Sequence, residues 1–304
     1  HLDTVFEADD DFQSFVREGN IARGPGVDDM KSGNVIILYA LKALKAAGVF
    51  DDFSVVVAYT GDEEKSGAPL SVSRKDLIEA GQWADIALGF EAAVSYDGSD
   101  WATIARRSSS SWTLTVTGRQ AHSSGIFGED VGAGAIFEAA RILNGFYEQV
   151  RGEEHLTFNA GTIQGVTDVE FDVQQNRGST FGKNNVVPRA VVVSGGMRTI
   201  SAEQLERARE GMRQIVARSL PHTSAAISFE DRYPAMPPTD GNRRWGAEQC
   251  RRWIHQGAGQ PTFHLWPHTP TPWPVSGRWA RAGIRQMKAW NSIRWHWRSS
   301  VLRF

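Results

Sequence analysis

The chain has 304 residues and a single cysteine, Cys250, which excludes an internal disulfide framework and any cysteine-rich metal site. No apolar run approaches the roughly 20 residues that a membrane-spanning helix needs, so no membrane partner is expected. Nothing resembles a secretory leader. The chain opens on His1 rather than Met, directly in the strand-like HLDTVF. A preceding segment is therefore expected, and localisation stays open between cytoplasm and export. Acids are scarce at one end: residues 243–304 hold ten Arg and one Lys against Glu248 alone, with eight of the eleven Trp. Arg and Trp together suit nucleic acid in composition. This stretch has no motif, period or repeat, however, and no nucleic-acid partner is expected. It is read as an aberrant tail that does not continue the fold, as a reading-frame shift near Asn242 would produce.

The remaining composition is that of a globular chain with room for two domains, at 41% hydrophobic and 22% charged residues. In the middle, WTLTVTG (112–118) alternates apolar residues with Thr, as a strand with one buried face does. VGAGAIFEAARILNGFYEQV (131–150) has helical spacing, and HLTFNAGT and RAVVVSGGMR read as strands. Ser201 and Gln204 form a capping-box pattern ahead of a second helix, and AAISFED closes the series as a strand. The order β-α-β-β-α-β predicts an inserted α+β split βαβ unit over 103–232, one antiparallel sheet under two helices.

The flanking sequence reads as α/β. NVIILYALKALKAAG predicts a helix ended by Gly48, FSVVVAYT (53–60) a buried parallel strand, SRKDLIEAG a helix and ADIALGFE a strand. The expected catalytic domain is a parallel-type sheet with helices on both faces, incomplete here, formed by 1–102 and a return at 233–242, with the tail at 243–304. Ligands of such sheets collect beyond the carboxyl ends of the strands. The acids lie there: Asp62, Glu63 and Glu64 after VVVAYTG, Glu91 at the end of ADIALGFE, and Asp28 and Asp29 in the turn GPGVDDMKSGN. A solvated turn with a helix cap would explain that last stretch alone. Several acid sites together with His1 and Asp3 point instead to a metal centre, because crowded carboxylates repel unless cations neutralise them. Imidazole and carboxylate suit zinc, and one carboxylate can bridge two ions.

HLDTV, GPGVDDMKSGN, GDEEKSG, LGFE, VTGRQAHSS and NNVVPRAVVVSGGMR, in this order over residues 1–242, resemble the zinc exopeptidase family of glutamate carboxypeptidase, acetylornithine deacetylase and aminoacylase. The resemblance implies two zinc ions per active site, with Asp29 bridging them, His1 and Glu91 on one and Glu64 on the other. It implies that Asp3 fixes the His1 imidazole and that Glu63 is the general base. The inserted unit would be the lid and dimerisation domain of a homodimer, its His122 reaching the partner subunit's active site to stabilise an oxyanion. Arg198 would clamp the free carboxylate of a small peptide or N-acyl amino acid, with Asn185 beside it. Two departures accompany the resemblance. The family's segment ahead of the first His is absent, and so is its last zinc ligand, a His in a late G-x-x-x-H context. His255, His264, His268 and His296 sit in no such context. Two outcomes follow: a metal-dependent peptidase or deacylase, or a catalytically dead remnant whose lid still dimerises.

Overall fold

The computed structural model describes residues 1–91, 94–96, 99–172, 175 and 177–249, and the backbone of 251–255, 264–266, 296–298 and 301–303. The chain divides into two compact units, His1–Ala105 with Pro238–Phe304, and Arg106–Pro237.

The first unit begins as a loop through HLDTVF, where a strand was expected. A hairpin follows, β1 (Val16–Glu18) and β2 (Ile21–Arg23). Helix α1 (Ser32–Ala46) ends as its sequence predicts: Gly48 sits at φ 70°, and its N–H and that of Val49 close back on the carbonyls of Lys45 and Leu44. That left-handed position is one that glycine adopts without a Cβ penalty. A single turn, α2 (Leu70–Ser73), leads into α3 (Lys75–Trp83) and the short strands β3 (Ala87–Gly89), β4 (Val94–Tyr96) and β5 (Ser99–Arg106).

The second unit carries the clearest sequence-to-structure relation. Strand β6 (Ser109–Gly118) buries Trp112, Leu114 and Val116 and turns its threonines outward. After the two-residue β7 (Ala121–His122) comes α4 (Gly134–Gln149), then β8 (Thr157–Val166), a hairpin of β9 (Asp168–Asp172) and β10 (Arg177–Phe181), the short β11 (Val186–Val187), β12 (Ala190–Arg198), α5 (Ala202–Val216) and β13 (Thr223–Tyr233). The four long strands form one antiparallel sheet in the order β13-β6-β12-β8. Its core joins Leu114, Val191 and Val193 of the sheet to Ile142 and Phe146 of α4 and Met212 of α5. Each buried side chain of this kind contributes about 1.5–3 kcal/mol. Trp112 meets Phe146 edge-on, with centroids 5.7 Å apart. Its indole lies so close to β12 that a Cβ at Gly195 would fall 2.6 Å from the ring, which explains the glycine at the bulge there. The Ser201 side chain accepts from the Gln204 N–H (3.2 Å), while Gln204 Oε1 accepts from the Ile200 N–H (2.9 Å), one residue earlier than a capping box requires. Arg106 and Met236, at the two ends of the unit, exchange backbone hydrogen bonds of 2.9 and 2.8 Å.

After this unit come α6 (Asp240–Gln249), β14 (Arg251–His255), β15 (His264–Trp266), β16 (His296–Arg298) and β17 (Val301–Arg303). One sheet runs β14-β5-β15-β3 with β4 on β5, another β1-β2-β17-β16. Most of 243–304 lies outside the described residues, and with it the reading of this stretch as a tail.

The fold is mixed α/β, but the parallel sheet expected of the first unit is not what forms. Its described pairings are antiparallel apart from one parallel register pair, His264 with Thr103. FSVVVAYT forms no strand, and Val55, Val56 and Val57 are 38–58% exposed. A parallel strand draws its ladder from neighbours on either side, and among the described residues no strand flanks 53–60. The β9–β10 hairpin, in contrast, was not read from the sequence.

Glu138 of α4 is fully buried and held by Arg141, with Nε to Oε2 at 2.9 Å and Nη2 to Oε1 at 2.7 Å, and by the Leu220 N–H at 3.2 Å. The same guanidinium donates to the carbonyls of Ile215 and Arg218 at the end of α5. Removing one member of such a pair strands the other, so Glu138→Ala is expected to cost about 3–5 kcal/mol in urea unfolding. The double replacement of Glu138 and Arg141 by Leu should recover most of that. A second expectation concerns Glu153, whose carboxyl is held down to about 2 by Arg207, then by Gln204. A depressed folded value gives stability that is present above the ordinary carboxylate range and lost as pH falls through it. The gap in urea midpoint between wild type and Glu153→Gln should therefore be largest above about pH 5 and vanish near pH 2.

Candidate metal centre

Two loops and helix α1 of the first unit converge on His1. The glycine turn is the first: Gly26 sits at φ 70°, where a Cβ would meet Thr4 Cγ2 at 2.7 Å, and the Lys31 N–H closes on the Gly26 carbonyl at 2.8 Å. The turn Val27–Lys31 buries Met30 and presents Asp29, with a cis peptide between the two. Neither Asp28 nor Asp29 caps α1, which starts at Ser32 without a side-chain cap. The acidic loop is the second. The Glu64 N–H donates to Asp3 Oδ2 at 2.9 Å and the Leu2 N–H to the Thr60 carbonyl at 2.8 Å, tying HLD to GDEE. From α1, Asn34 Nδ2 donates to the His1 carbonyl at 2.9 Å.

The His1 ring is thereby buried, its side chain 2% exposed. Nδ1 lies 3.0 Å from the Asp3 carbonyl and 3.2 Å from Asp3 Oδ1. Nε2 lies 3.1 Å from Asp29 Oδ1, 3.7 Å from Glu91 Oε2 and 4.0 Å from Glu63 Oε2. Burial works against protonation of this ring, yet the hydrogen bonds of Asp29 and Glu91 and the charges of Glu91 and Glu63 raise it to about 11. For Glu64 and Glu91, burial and then crowding by Asp29 and Glu63 hold the proton more tightly than usual, with His1 opposing. Asp29 moves down, chiefly through His1, and Asp3 moves down because the N–H groups of Glu64 and Glu63 outweigh its burial.

Two donor sets stand out, His1 with Glu63 and Glu64, and His1 with Asp29 and Glu91, each with its ligand atoms within 4.8 Å of one another. The buried Glu64 Oε1 has no hydrogen-bond partner. A buried oxygen of that kind carries a desolvation cost that a cation would remove. Imidazole and carboxylate donors fit zinc or a similar divalent ion. Asp62, expected from the sequence among the loop acids, is drawn off: it accepts from the Gly67 N–H at 3.0 Å and from Arg74 Nη1 at 2.6 Å, which together hold its carboxyl below the ordinary range. Sequence reasoning missed Arg74 and Asn34. Both lie inside helical patterns, where Arg and Asn are unremarkable.

The second unit holds the other three predicted residues. His122 is exposed and pairs in register with Val186, and the Ser123 N–H donates to the Asn185 carbonyl at 2.9 Å, so His122 and Asn185 are neighbours. Arg198 ends β12 opposite Thr157, and its Nη1 donates to the Ser108 carbonyl at 3.3 Å. Arg107 donates to Thr157 Oγ1 at 2.8 Å, and burial and then the Arg198 charge lower its proton affinity.

A His-centred cluster of carboxylates in a mixed α/β chain, with an antiparallel sheet inserted in the sequence between its halves, narrows the class. Residues 1–239 match Peptidase family M20/M25/M40, and the chain belongs to that family. Carboxypeptidase G2 of Pseudomonas sp. (strain RS-16) is 26% identical over 247 residues, 80% of this chain and 54% of that protein. The chain thus spans about half the length of this curated relative. Among solved structures, aminopeptidase PepT from Bacillus cereus ATCC 10987 superimposes with a TM-score of 0.56 at 17% identity, over 86% of this chain and 69% of that one, a likeness of fold.

Asp3→Asn keeps an acceptor for the Glu64 N–H but removes the charge beside His1 Nδ1. Outer partners of metal-binding histidines are typically worth 10–100-fold in affinity, so zinc binding by calorimetry should weaken by about that factor.

Proposed function

We propose that the chain is a metal-dependent hydrolase of the carboxypeptidase or deacylase type, cleaving a peptide or N-acyl amide bond to release an amino acid with a free carboxylate. The donor cluster around His1, in a chain of this family, is the observation that carries the reading. His1, Asp29 and Glu91 would hold one zinc ion, and Glu64 with Asp29 a second. Zinc bound there would polarise the scissile carbonyl and lower the pKa of water. Glu63, about half exposed beside His1, takes a proton from the attacking water and passes it to the leaving nitrogen. Asp3 orients the His1 ring through Nδ1. His122 donates to the oxyanion, in a homodimer formed through the second unit. Arg198 holds the substrate carboxylate and Asn185 the atoms beside it. The name of carboxypeptidase G2 supports the carboxylate-bearing product.

One observation favours a second reading, a catalytically silent chain whose second unit still pairs. Among the described residues, His1 is the only imidazole in either donor set. Two carboxylates hold zinc less well than a set with imidazole. Metal analysis is therefore expected to give nearer one zinc than two. Assays of dipeptides and N-acyl amino acids separate the readings. Under the first, Glu63→Gln should cut turnover by about 10²–10⁴-fold while metal stays bound. Retained metal with no hydrolysis by the wild-type chain would establish the second.

A further inference from the structure

We propose that Ser124 is a positioning residue that fixes the His122 imidazole as the Nε2–H tautomer, with Nδ1 accepting from Ser124 and Nε2 able only to donate. The inference deepens the reading of His122 as an oxyanion donor and rests on it for its purpose. The Ser124 backbone N–H donates to His122 Nδ1 at 3.3 Å, and Ser124 Oγ lies 2.8 Å from the same atom. A backbone N–H cannot accept, so the Nδ1 it faces must present its lone pair. The hydroxyl can play either part, and beside a nitrogen that already accepts, it donates. A neutral imidazole with Nδ1 accepting carries its proton on Nε2, the state that a donor to developing negative charge requires.

The backbone around the ring is held although the ring is exposed. His122 pairs with Val186, the Ser123 N–H donates to the Asn185 carbonyl at 2.9 Å, and the Ile126 N–H closes the turn on the Ser123 carbonyl at 3.2 Å. The Ser-Ser-Gly turn therefore returns its own donors to the side chain that opens it. Within the sequence AHSSG, the first serine supplies backbone pairing and the second supplies the tautomer.

The test is nitrogen NMR of the full chain labelled at histidine nitrogen, with His122 assigned by its loss in His122→Gln. In the neutral ring, Nδ1 should resonate as an unprotonated and Nε2 as a protonated nitrogen. Ser124→Ala keeps the backbone donor and removes the hydroxyl. Losing one hydrogen bond of ordinary strength should raise the Nδ1–H fraction about two- to tenfold, and Ser124→Thr should restore the wild-type ratio. A ring protonated on Nδ1 in the wild type, or an unchanged ratio in Ser124→Ala, overturns the proposal. The measurement needs no turnover. A fixed tautomer whose His122→Gln variant hydrolyses as fast as wild type would refute the oxyanion role and leave the positioning intact.

Discussion

Carboxylate crowding around one buried imidazole is the constraint on which the first unit depends. Asp29, Glu63 and Glu91 come within 4.0 Å of His1 Nε2, and Asp3 faces Nδ1. No hydrophobic burial compensates for bringing like charges together, so the arrangement persists only with positive charge at its centre, supplied by a proton or a metal ion. The loops are built accordingly. Gly26 permits the turn that delivers Asp29, the backbone of Glu64 satisfies Asp3, and Asn34 anchors the His1 carbonyl. Such local devices hold the site without relying on a regular sheet beneath it.

The second unit is governed by packing. Strand β6 at the middle of its sheet alternates buried and less buried residues, its helices bring Ile142, Phe146 and Met212 against the sheet, and the fully buried Glu138 carboxylate is enclosed by hydrogen-bond donors. Polar groups at its core tie elements together. Arg141 links α4 to the end of α5, and Gln204 links the start of α5 to Glu153 and Glu154.

What the sequence disclosed follows from the same contrast. Period-two alternation in WTLTVTG and helical spacing in 131–150 state both the element and its buried face, so these elements stand where they were expected. Asp29, Glu63, Glu64 and Glu91 were legible because each sits in a short glycine-bearing motif, and Asp3 because it stands two residues after His1 in HLDTV. FSVVVAYT misled because a continuous apolar run announces burial on both faces without saying what would provide it. The β9–β10 hairpin escaped because its second strand, RGSTF, has no apolar period and all five of its residues are exposed, although VEFD ahead of it alternates. The fate of Asp62 depended on Arg74, twelve residues on, which no local pattern encodes.

The reciprocal bond between Arg106 and Met236 has a consequence for how such a chain is assembled. An insertion whose entry and exit lie side by side asks its host to span only the width of a strand pair. The host then pays almost no loop-closure entropy, whatever the size of the insert. The 132 residues of Arg106–Pro237 are therefore a transplantable module. Such a segment can be lost, gained or exchanged between genes in one step, with the flanking sequence rejoined by a turn of a few residues.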